Sequence, residues 1–308
     1  MRDHFIQKLF ELSEEDKRIV LITGDLGFGV FDKFRAERKS QFVNAGVSEQ
    51  NMTMLATGMA LEGSIAFTYS IGNFPTLRCL EMIRNDAAYH EANVKVVSIG
   101  GGFSYGALGI SHHATEDLAI MRSLPDVTVF SPCTLWEAME ATAAMVNTPG
   151  TCYMRLDKSH GEDDSRQCDD KFELGKLRLL REGNHVAIVV TGGILVEVQK
   201  AADLLAESGI DCKILSCHTI KPFDTKGLVS FTSNVDAVVT VEEHTILGGL
   251  GSVVTETLMD KMAIPNRFLR IGLEAGFSSI VGSQEYLRSR YGLDASAICD
   301  RIKHLLND

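Results

Sequence analysis

Residues 43–52 read Val-Asn-Ala-Gly-Val-Ser-Glu-Gln-Asn-Met: a short strand-like run, a glycine turn and the start of a helix-length segment. Apolar residues at helical spacing predict a helix that begins near Ser48 and turns one face inward, formed by Met52, Leu55, Ala56, Met59 and Ala60. A strand that leads through a turn into a helix is the repeating unit of parallel sheets covered by helices. This stretch therefore predicts an α/β fold, with Glu49 in the first turn of a helix.

The same alternation extends in both directions from this stretch. Short runs rich in β-branched residues are separated by helix-length amphipathic segments, a pattern typical of βα units. We predict strands at residues 19–22, 65–69, 94–99, 127–130, 152–155, 186–190, 212–215 and 237–241. A further helix is predicted after Pro75, because proline is favoured in a first helical turn. The predicted fold class is α/β with parallel sheets flanked by helices.

The chain is long enough for two domains. Its 308 residues exceed the roughly 100–200 residues of a usual single domain. Between Lys158 and Asp170 the pattern gives way to a polar run without periodicity, which is typical of an exposed linker. We predict one domain over residues 1–160, a linker over residues 161–178 and a smaller α/β domain over residues 179–308.

Composition narrows the range of partners and compartments. The chain is 45% hydrophobic and 23% charged, and it lacks the roughly 18 consecutive apolar residues that span a membrane. The net charge of −11 disfavours nucleic acid and anionic membranes as partners, since both require a basic face. The first residues lack a signal-peptide pattern and the 7 cysteines form no CxxC pair. We therefore expect a cytoplasmic protein with reduced thiols and no zinc site.

Glu49 has a simple structural explanation, because the helix dipole favours an acidic residue in a first turn. Its surroundings give a more specific one. The run Gly46-Val47-Ser48-Glu49 resembles the Gly-Val/Ile-x-Glu motif of transketolases, 1-deoxyxylulose-5-phosphate synthases and the β subunits of 2-oxo acid dehydrogenases. Three later stretches continue the resemblance to transketolases in the same order, at residues 109–119, 122–132 and 241–251. The resemblance covers nearly the whole chain.

The resemblance implies a pyrimidine-binding domain followed by a transketolase C-terminal-like domain. The implied enzyme uses thiamine diphosphate to transfer a two-carbon ketol unit between sugars. Glu49 would hydrogen-bond the ring nitrogen of the cofactor's aminopyrimidine, and Phe74 would pack against that ring. Such a glutamate needs a desolvated carboxyl group, because burial favours the protonated form. Asp25 matches an aspartate that the family places near the cofactor, although an Asx turn equally explains an aspartate there.

Three further residues are implied as contacts of the sugar substrate. His112 matches the motif histidine that contacts the donor's oxygens and assists proton transfer, a role that suits imidazole. Arg155 and Arg2 match arginines that bind the substrate's phosphate, since the planar guanidinium group stays charged and donates in a fork. Without the motif, the adjacent His112 and His113 would be typical of a solvated loop.

The chain departs from the family at three positions in this region. Gly100 stands where a histidine is usual, Leu108 where a donor-contacting aspartate is usual, and Gly29 where a phosphate-contacting serine is usual. The glutamate that activates the cofactor is kept while these sugar contacts are not. We therefore expect an atypical ketose or another donor, and a normal rate with xylulose 5-phosphate would contradict this expectation.

The family anchors the cofactor's diphosphate through Mg²⁺ or Ca²⁺ on a Gly-Asp-Gly motif. This sequence has no such motif, since its Gly24-Asp25 pair is followed by Leu26. The resemblance then implies that a separate N-terminal subunit holds the diphosphate and the metal, while this chain binds no metal itself. The two subunits would share thiamine diphosphate in an α2β2 heterotetramer.

Three other functions fit parts of the sequence. The β subunit of a 2-oxo acid dehydrogenase, or a pyruvate-using enzyme like 1-deoxyxylulose-5-phosphate synthase, would share Glu49. A nucleotide- or flavin-binding subunit would use one of two glycine runs as a phosphate loop, either Gly24, Gly27 and Gly29 or Gly248, Gly249 and Gly251. Neither run has the full GxGxxG spacing. A catalytically silent binding partner that keeps the fold is the third alternative.

Overall fold

A computed structural model describes residues 1–27, 29–158, 171–274 and 276–307. The chain folds into two α/β domains, each built around a mostly parallel sheet with flanking helices. The first sheet has 7 strands and the second has 5. This architecture confirms the predicted fold class.

The first sheet draws most of its strands from residues 1–158. These strands are β1 (Ile19–Thr23), β2 (Phe42–Asn44), β3 (Ile65–Ile71), β4 (Val94–Ile99), β5 (Val127–Phe130) and β6 (Thr151–Leu156). The helices are α1 (Arg2–Glu15), α2 (Asp32–Glu37), α3 (Glu49–Leu61), α4 (Leu80–Met82), α5 (Asp117–Ser123) and α6 (Leu135–Asn147). Strands β1, β4 and β6 are buried along their whole length, as expected of central strands covered on both faces.

The remaining elements lie beyond residue 170. The strands are β7 (Arg178–Arg181), β8 (Val186–Thr191), β9 (Cys212–Ser216), β10 (Thr219–Lys221), β11 (Ala237–Thr245) and β12 (Phe268–Leu273). The helices are α7 (Leu195–Ala206), α8 (Thr225–Thr232), α9 (Leu250–Asp260), α10 (Gln284–Arg290) and α11 (Ala295–Asn307). The second sheet has the order β12-β11-β8-β9-β7 and is parallel except for β7.

The first sheet has the order β10-β5-β6-β4-β3-β1-β2. Its strands from β5 to β2 pair in parallel, and only β10 runs antiparallel to its neighbour β5. The carboxyl ends of β1, β2, β3, β4 and β6 therefore meet at one edge of the sheet. In α/β folds this edge is where ligands bind.

All eight predicted strands are confirmed, since each lies within a strand of the structure. Strand β2 corresponds to the strand-like run at the start of residues 43–52, and the other three observed strands, β7, β10 and β12, were not predicted. Strand β10 comes from the range predicted for the second domain, yet it pairs with β5 of the first sheet. Of the predicted linker, residues 171–177 contain no helix or strand, β7 begins at its last residue, and residues 161–170 lie outside the described ranges.

Helix α3 begins at Glu49 as predicted, with Ser48 as its N-cap residue. Its predicted inward face is largely confirmed, because three of the five residues are buried and a fourth is half-buried: Met52, Ala56, Ala60 and then Met59. The prediction for Leu55 is wrong, since this side chain is exposed. Thr53 and Thr57 are buried instead, because each hydroxyl donates to the carbonyl four residues earlier and so needs no water.

The helix predicted after Pro75 is present but irregular. It begins as a 3-10 turn over Leu77–Cys79, continues as the short α4, and ends as a π-helix over Ile83–Ala88. Such changes of helical hydrogen bonding are frequent near functional sites. Here they fix the position of Arg78, which lies in the first of the three pieces.

Candidate active site

Four of the predicted site residues follow successive strands of the first sheet. Asp25 lies after β1, Glu49 after β2, Phe74 after β3 and His112 after β4. Because these strands are parallel, the four residues lie at the same edge of the sheet. The topology thus groups residues that are up to 87 positions apart in the sequence.

Glu49 is buried at the start of α3, with 5% of its surface exposed. Its Oε2 atom accepts a hydrogen bond from Nη1 of Arg78 at 2.7 Å, which makes an ion pair. The other carboxylate oxygen, Oε1, accepts no hydrogen bond from any residue that the structure describes. One side of this carboxylate is therefore fixed by the protein while the other is left for a ligand.

The loops after β3 and β4 are tied together, and this tie brings Phe74 to His112. The side-chain amide of Asn73 donates to the carbonyl of His113 at 2.8 Å. The rings of Phe74 and His112 then meet edge to face, with 5.1 Å between their centroids. The guanidinium of Arg78 lies over the Phe74 ring at 4.8 Å, so the same arginine contacts both Glu49 and Phe74.

The structure separates the two adjacent histidines. His113 is buried, and its Nε2 atom lies 3.1 Å from the carbonyl of Gly106. His112 is half-buried and packs on Phe74 instead. Burial, and to a lesser degree the His113 ring, lower the pKa of His112 below its ordinary value of 6.5. His112 is therefore the histidine at the site, and it is neutral at pH 7.

Asp25 supports the turn that leads to Glu49. Its backbone adopts a left-handed conformation with φ of 56°, which aspartate tolerates better than most residues. The side-chain amide of Asn44 donates to Oδ1 of Asp25 at 2.9 Å, while the Asp25 backbone N–H donates to Oδ1 of Asn44 at 3.0 Å. Asn44 ends β2 and Asp25 follows the adjacent β1, so this pair holds the carboxyl ends of the two strands in register. The cofactor contact implied for Asp25 stays a prediction.

Arg155 does not lie with the other predicted site residues. It is 4% exposed, and its guanidinium donates to Oδ1 of Asp117 at 3.2 Å and to the carbonyl of Glu243 at 2.7 Å. These partners lie in both domains, so Arg155 links them. The phosphate contact implied for Arg155 stays a prediction.

Arg2 lies in the first turn of α1, where it pairs with Asp3 at 2.8 Å. It lines a groove of about 690 Å³ together with Gly29 and Lys33. It does not contact Glu49 or His112, but it is within electrostatic reach of the Tyr105 hydroxyl. Its substrate contact stays a prediction.

Three residues of this edge were missed from the sequence. Arg78 lies one helical turn after Phe74, and this spacing could have indicated their contact. Tyr105 and Lys158 lie further along the same edge, where the Lys158 ammonium is 4.9 Å from the centre of the Tyr105 ring. The sequence marks Gly100 as a departure from the family, but only the structure shows which side chain fills the space above it.

The second glycine run does not form a phosphate loop. Glu242 is fully buried, and its carboxylate accepts hydrogen bonds from the backbone N–H groups of Leu250 at 2.7 Å and Gly251 at 2.8 Å. A side chain on Gly249 would overlap this carboxylate. An acidic group thus occupies the start of α9, where a phosphate would have to bind. This occupancy removes the main support for a nucleotide site at residues 248–251.

The described residues of the chain include neither a group of metal ligands nor a membrane-spanning helix. Within them, no three or more His, Cys, Asp or Glu side chains are grouped so that they could hold a metal ion. No described helix is long and apolar enough to cross a membrane.

The cluster of Glu49, Arg78, Phe74 and His112 fits the aminopyrimidine of thiamine diphosphate. Phe74 is a half-buried ring on which a flat heterocycle can stack. The oxygen of Glu49 that lacks a partner among the described residues can hydrogen-bond a pyrimidine ring nitrogen by sharing a proton with it. Among the described residues no group of side chains could hold the metal ion of the diphosphate, so the fit concerns the pyrimidine end alone.

Comparisons with known proteins agree across the chain. The model of the transketolase pyrimidine-binding domain matches residues 1–162, and that of the transketolase C-terminal domain matches residues 175–298. An apulose-4-phosphate transketolase subunit from Phocaeicola vulgatus is 32% identical over 97% of this chain and 95% of its own length. A 6-deoxy-6-sulfo-D-fructose transketolase subunit from Clostridium sp. is 34% identical over 97% and 92%.

A solved structure is similar over the same extent. It is described as a split gene transketolase in an inactive β4 tetramer, and it is 32% identical to this chain. The TM-score is 0.89, and the alignment covers 99% of this chain and 98% of that one. Similarity therefore extends over both domains and over nearly the full length of each protein.

Proposed function

Because the chain belongs to the transketolase family, as a subunit of the split type, we propose that it transfers a two-carbon ketol unit between sugars through thiamine diphosphate. The observation that carries this proposal is the cluster of Glu49, Arg78, Phe74 and His112 at one sheet edge. A buried carboxylate with one oxygen available, beside a half-exposed aromatic ring, is what an aminopyrimidine requires.

Thiamine diphosphate, when bound, supplies a carbon nucleophile and accepts the electron pair of the carbon–carbon bond that breaks. The protein's part is to hold and activate it. Oε1 of Glu49 would share a proton with the pyrimidine ring nitrogen, while Arg78 holds Oε2 and so fixes the direction of the carboxylate. Phe74 supports the pyrimidine from one side.

His112 packs edge to face against Phe74, and the sugar would lie against this histidine. A neutral imidazole carries one donor and one acceptor nitrogen, so His112 can hydrogen-bond a sugar hydroxyl and relay its proton. Its lowered pKa keeps it in this form across the neutral range. The Ser111 hydroxyl lies 2.9 Å from Nδ1 and orients the ring so that Nε2 serves the substrate.

We propose that a second subunit completes the site by holding the diphosphate and a Mg²⁺ or Ca²⁺ ion, in an α2β2 assembly. Support comes from the sequence, which lacks the family's Gly-Asp-Gly motif. Further support comes from the relatives of matching length, two of which are named as subunits. Within this chain, residues 1–160 would bind the pyrimidine, residues 161–178 would connect, and residues 179–308 would form the C-terminal domain.

The substrates are proposed to be small sugars that carry an anionic group, handled in the cytoplasm. One relative is named for a sugar phosphate and another for a sulfo-sugar, so both names combine a sugar with a tetrahedral anion. The departures at Gly29, Gly100 and Leu108 support a ketose other than xylulose 5-phosphate.

The test is turnover by the purified complex of this chain with the diphosphate-binding subunit. Pyruvate, hydroxypyruvate, xylulose 5-phosphate, apulose 4-phosphate and 6-deoxy-6-sulfofructose are offered as donors, with and without thiamine diphosphate. We expect cofactor-dependent transfer to an aldose acceptor by the complex and none by this chain alone. Decarboxylation of pyruvate without ketol transfer would favour the 2-oxo acid alternative and contradict the proposal.

A further inference from the structure

Tyr105 occupies the space that a side chain at position 100 would take. Gly100 has φ of 97°, a left-handed conformation that favours glycine. A Cβ atom built on Gly100 would overlap the Tyr105 ring, so the ring lies directly against the Gly100 backbone. The family's usual histidine at this position and Tyr105 cannot both be accommodated.

Tyr105 also positions a cation. The Lys158 ammonium lies 4.9 Å from the centre of the Tyr105 ring, a cation–π contact. The backbone N–H of Lys158 donates to Oγ of Ser104 at 3.4 Å, and Ser104 donates to the carbonyl of Gly101 at 2.8 Å. The loop that carries Tyr105 is therefore hydrogen-bonded to the segment that follows β6. The exposed side chain of Lys158 extends from this segment.

These residues extend the cluster of Glu49, Arg78, Phe74 and His112 into a row with opposite charges at its two ends. The centroid of the Tyr105 ring is 6.2 Å from that of His112, so Tyr105 is close to both the imidazole and the Lys158 ammonium. The carboxylate of Glu49 is at one end of this row and the ammonium of Lys158 at the other. A ketose whose carbonyl end meets the cofactor would direct its far end towards Lys158.

The Tyr105 hydroxyl is available as a donor. It forms no hydrogen bond with a residue of the described ranges, and burial raises the pKa of the phenol, so the proton stays on. The Arg2 guanidinium is within electrostatic reach of this hydroxyl and adds positive charge to the same end of the row.

We propose that Tyr105 is a specificity-determining residue: its hydroxyl and the Lys158 ammonium that it positions bind the tetrahedral anion at the far end of the donor sugar. This inference rests on the proposed ketol transfer and deepens it. It assigns an anion contact to residues 105 and 158, whose side chains are less buried than that of Arg155. A phosphate and a sulfonate share the chemistry that this pair recognises.

The test compares donors that share the ketol unit but differ at the far end. The complex of this chain with its partner subunit is assayed with hydroxypyruvate, which has no such group, and with xylulose 5-phosphate and 6-deoxy-6-sulfofructose. Lys158→Met is expected to raise KM for the anionic sugars by about tenfold or more, and Tyr105→Phe by about three- to tenfold. We expect kcat to change less than KM, and the loss with hydroxypyruvate to be at least about fivefold smaller.

Two variants serve as controls. Lys200→Met removes an exposed lysine of α7 that pairs only with Glu197 among the described residues. This variant should leave KM unchanged for all three donors. Gly100→Ala, which forces the Tyr105 ring aside, should raise KM for the anionic sugars as Tyr105→Ala does, and the two effects should not add. The comparison of the phosphate with the sulfonate identifies which anion the pair prefers.

Equal losses for hydroxypyruvate and the anionic sugars in Lys158→Met and Tyr105→Phe would overturn this inference while leaving ketol transfer intact. Turnover of hydroxypyruvate alone by the wild-type complex would overturn it in the same way. Absence of turnover with every donor would overturn both this inference and the proposed function.

Discussion

Two regions of the molecule contain arginine–carboxylate pairs of similar length, yet they differ in exposure. At the sheet edge, Arg78 meets Glu49 at 2.7 Å with 47% of the arginine side chain exposed. Between the domains, Arg288 meets Glu243 at 2.6 Å, and Arg155 meets Asp117 at 3.2 Å, with 6% and 4% of the arginine side chains exposed. The first pair is open to a ligand. The pairs of the second region, here called the interdomain network, are buried.

The same residue types thus have a proposed catalytic role in one place and link the two domains in the other. In the interdomain network Glu243 accepts from Arg288 and from the backbone N–H of Phe103 at 2.6 Å, and Tyr153 donates to Asp117 at 2.5 Å. The carboxylates there are met by other parts of the chain, which couples the two domains. At the sheet edge one oxygen of Glu49 remains for a ligand.

The largest expected effect is on turnover when Glu49 is changed. Glu49→Gln in the complex should lower kcat/KM by about 10²–10⁴-fold, because an amide cannot perform the proton chemistry of a carboxyl group. Glu285→Gln changes an exposed acidic residue in the first turn of α10 and should have little effect. Equal turnover by the Glu49 variant would show that the carboxylate at the sheet edge is only a helix-start residue.

The next largest effect is on stability and concerns the interdomain network. Arg155→Met leaves Asp117 buried without its cation and should lower the free energy of unfolding by about 3–5 kcal/mol. Arg181→Met breaks an exposed pair with Asp203 and should change it by less than about 1 kcal/mol. Denaturant unfolding measures both variants. An Arg155 variant of normal stability with a raised KM for sugar phosphates would show that Arg155 makes the phosphate contact implied by the sequence.

A smaller effect on turnover is expected at His112. His112→Asn should lower kcat/KM by about 10- to 100-fold, because a hydrogen bond to the reacting sugar is lost. In the wild-type complex, the rate should fall with acid through an apparent pKa below 6.5, since burial disfavours the charged imidazole. The variant should lack this acidic limb. His90→Asn alters an exposed histidine and is the control; an unchanged pH profile in His112→Asn would exclude His112 as the titrating group.

The smallest effect is expected at Arg78. Arg78→Met should lower turnover by about fivefold, or about 1 kcal/mol, because the pair with Glu49 is half-exposed and solvent weakens it. Arg84→Met removes an exposed arginine of the adjoining π-helix and is the matched control. A loss as large as that of Glu49→Gln would mean that Arg78 contacts the cofactor itself instead of holding Glu49.

Much of the fold could be predicted from the sequence because strand and helix periodicities are local. All eight predicted strands and the start of α3 follow from this local pattern. The strands that were missed are those whose place depends on distant partners. β10 has three residues and finds its neighbour β5 in the other domain, which no local pattern reveals. Leu55 was misplaced because buried threonines, satisfied by backbone carbonyls, took the inward face.

The site was predictable to the extent that motifs name residues that follow strands. Parallel pairing then brings Glu49, Phe74 and His112 together without further information. Arg155 could not be judged from sequence, because a motif does not say whether a side chain is buried between domains. Tyr105 could not be found either, since its proposed role depends on the space that Gly100, which has no side chain, leaves for the Tyr105 ring.

We propose that the sheet edge is half of a cofactor site, and a measurement of thiamine diphosphate binding is the most direct test of this proposal. Calorimetric titration with the cofactor and Mg²⁺ is performed on this chain alone, on the diphosphate-binding subunit alone and on their complex. We expect tight binding by the complex only, weakened when the complex carries Glu49→Ala. Tight binding of thiamine diphosphate and Mg²⁺ by this chain alone, or binding by the complex that Glu49→Ala leaves unchanged, would contradict it.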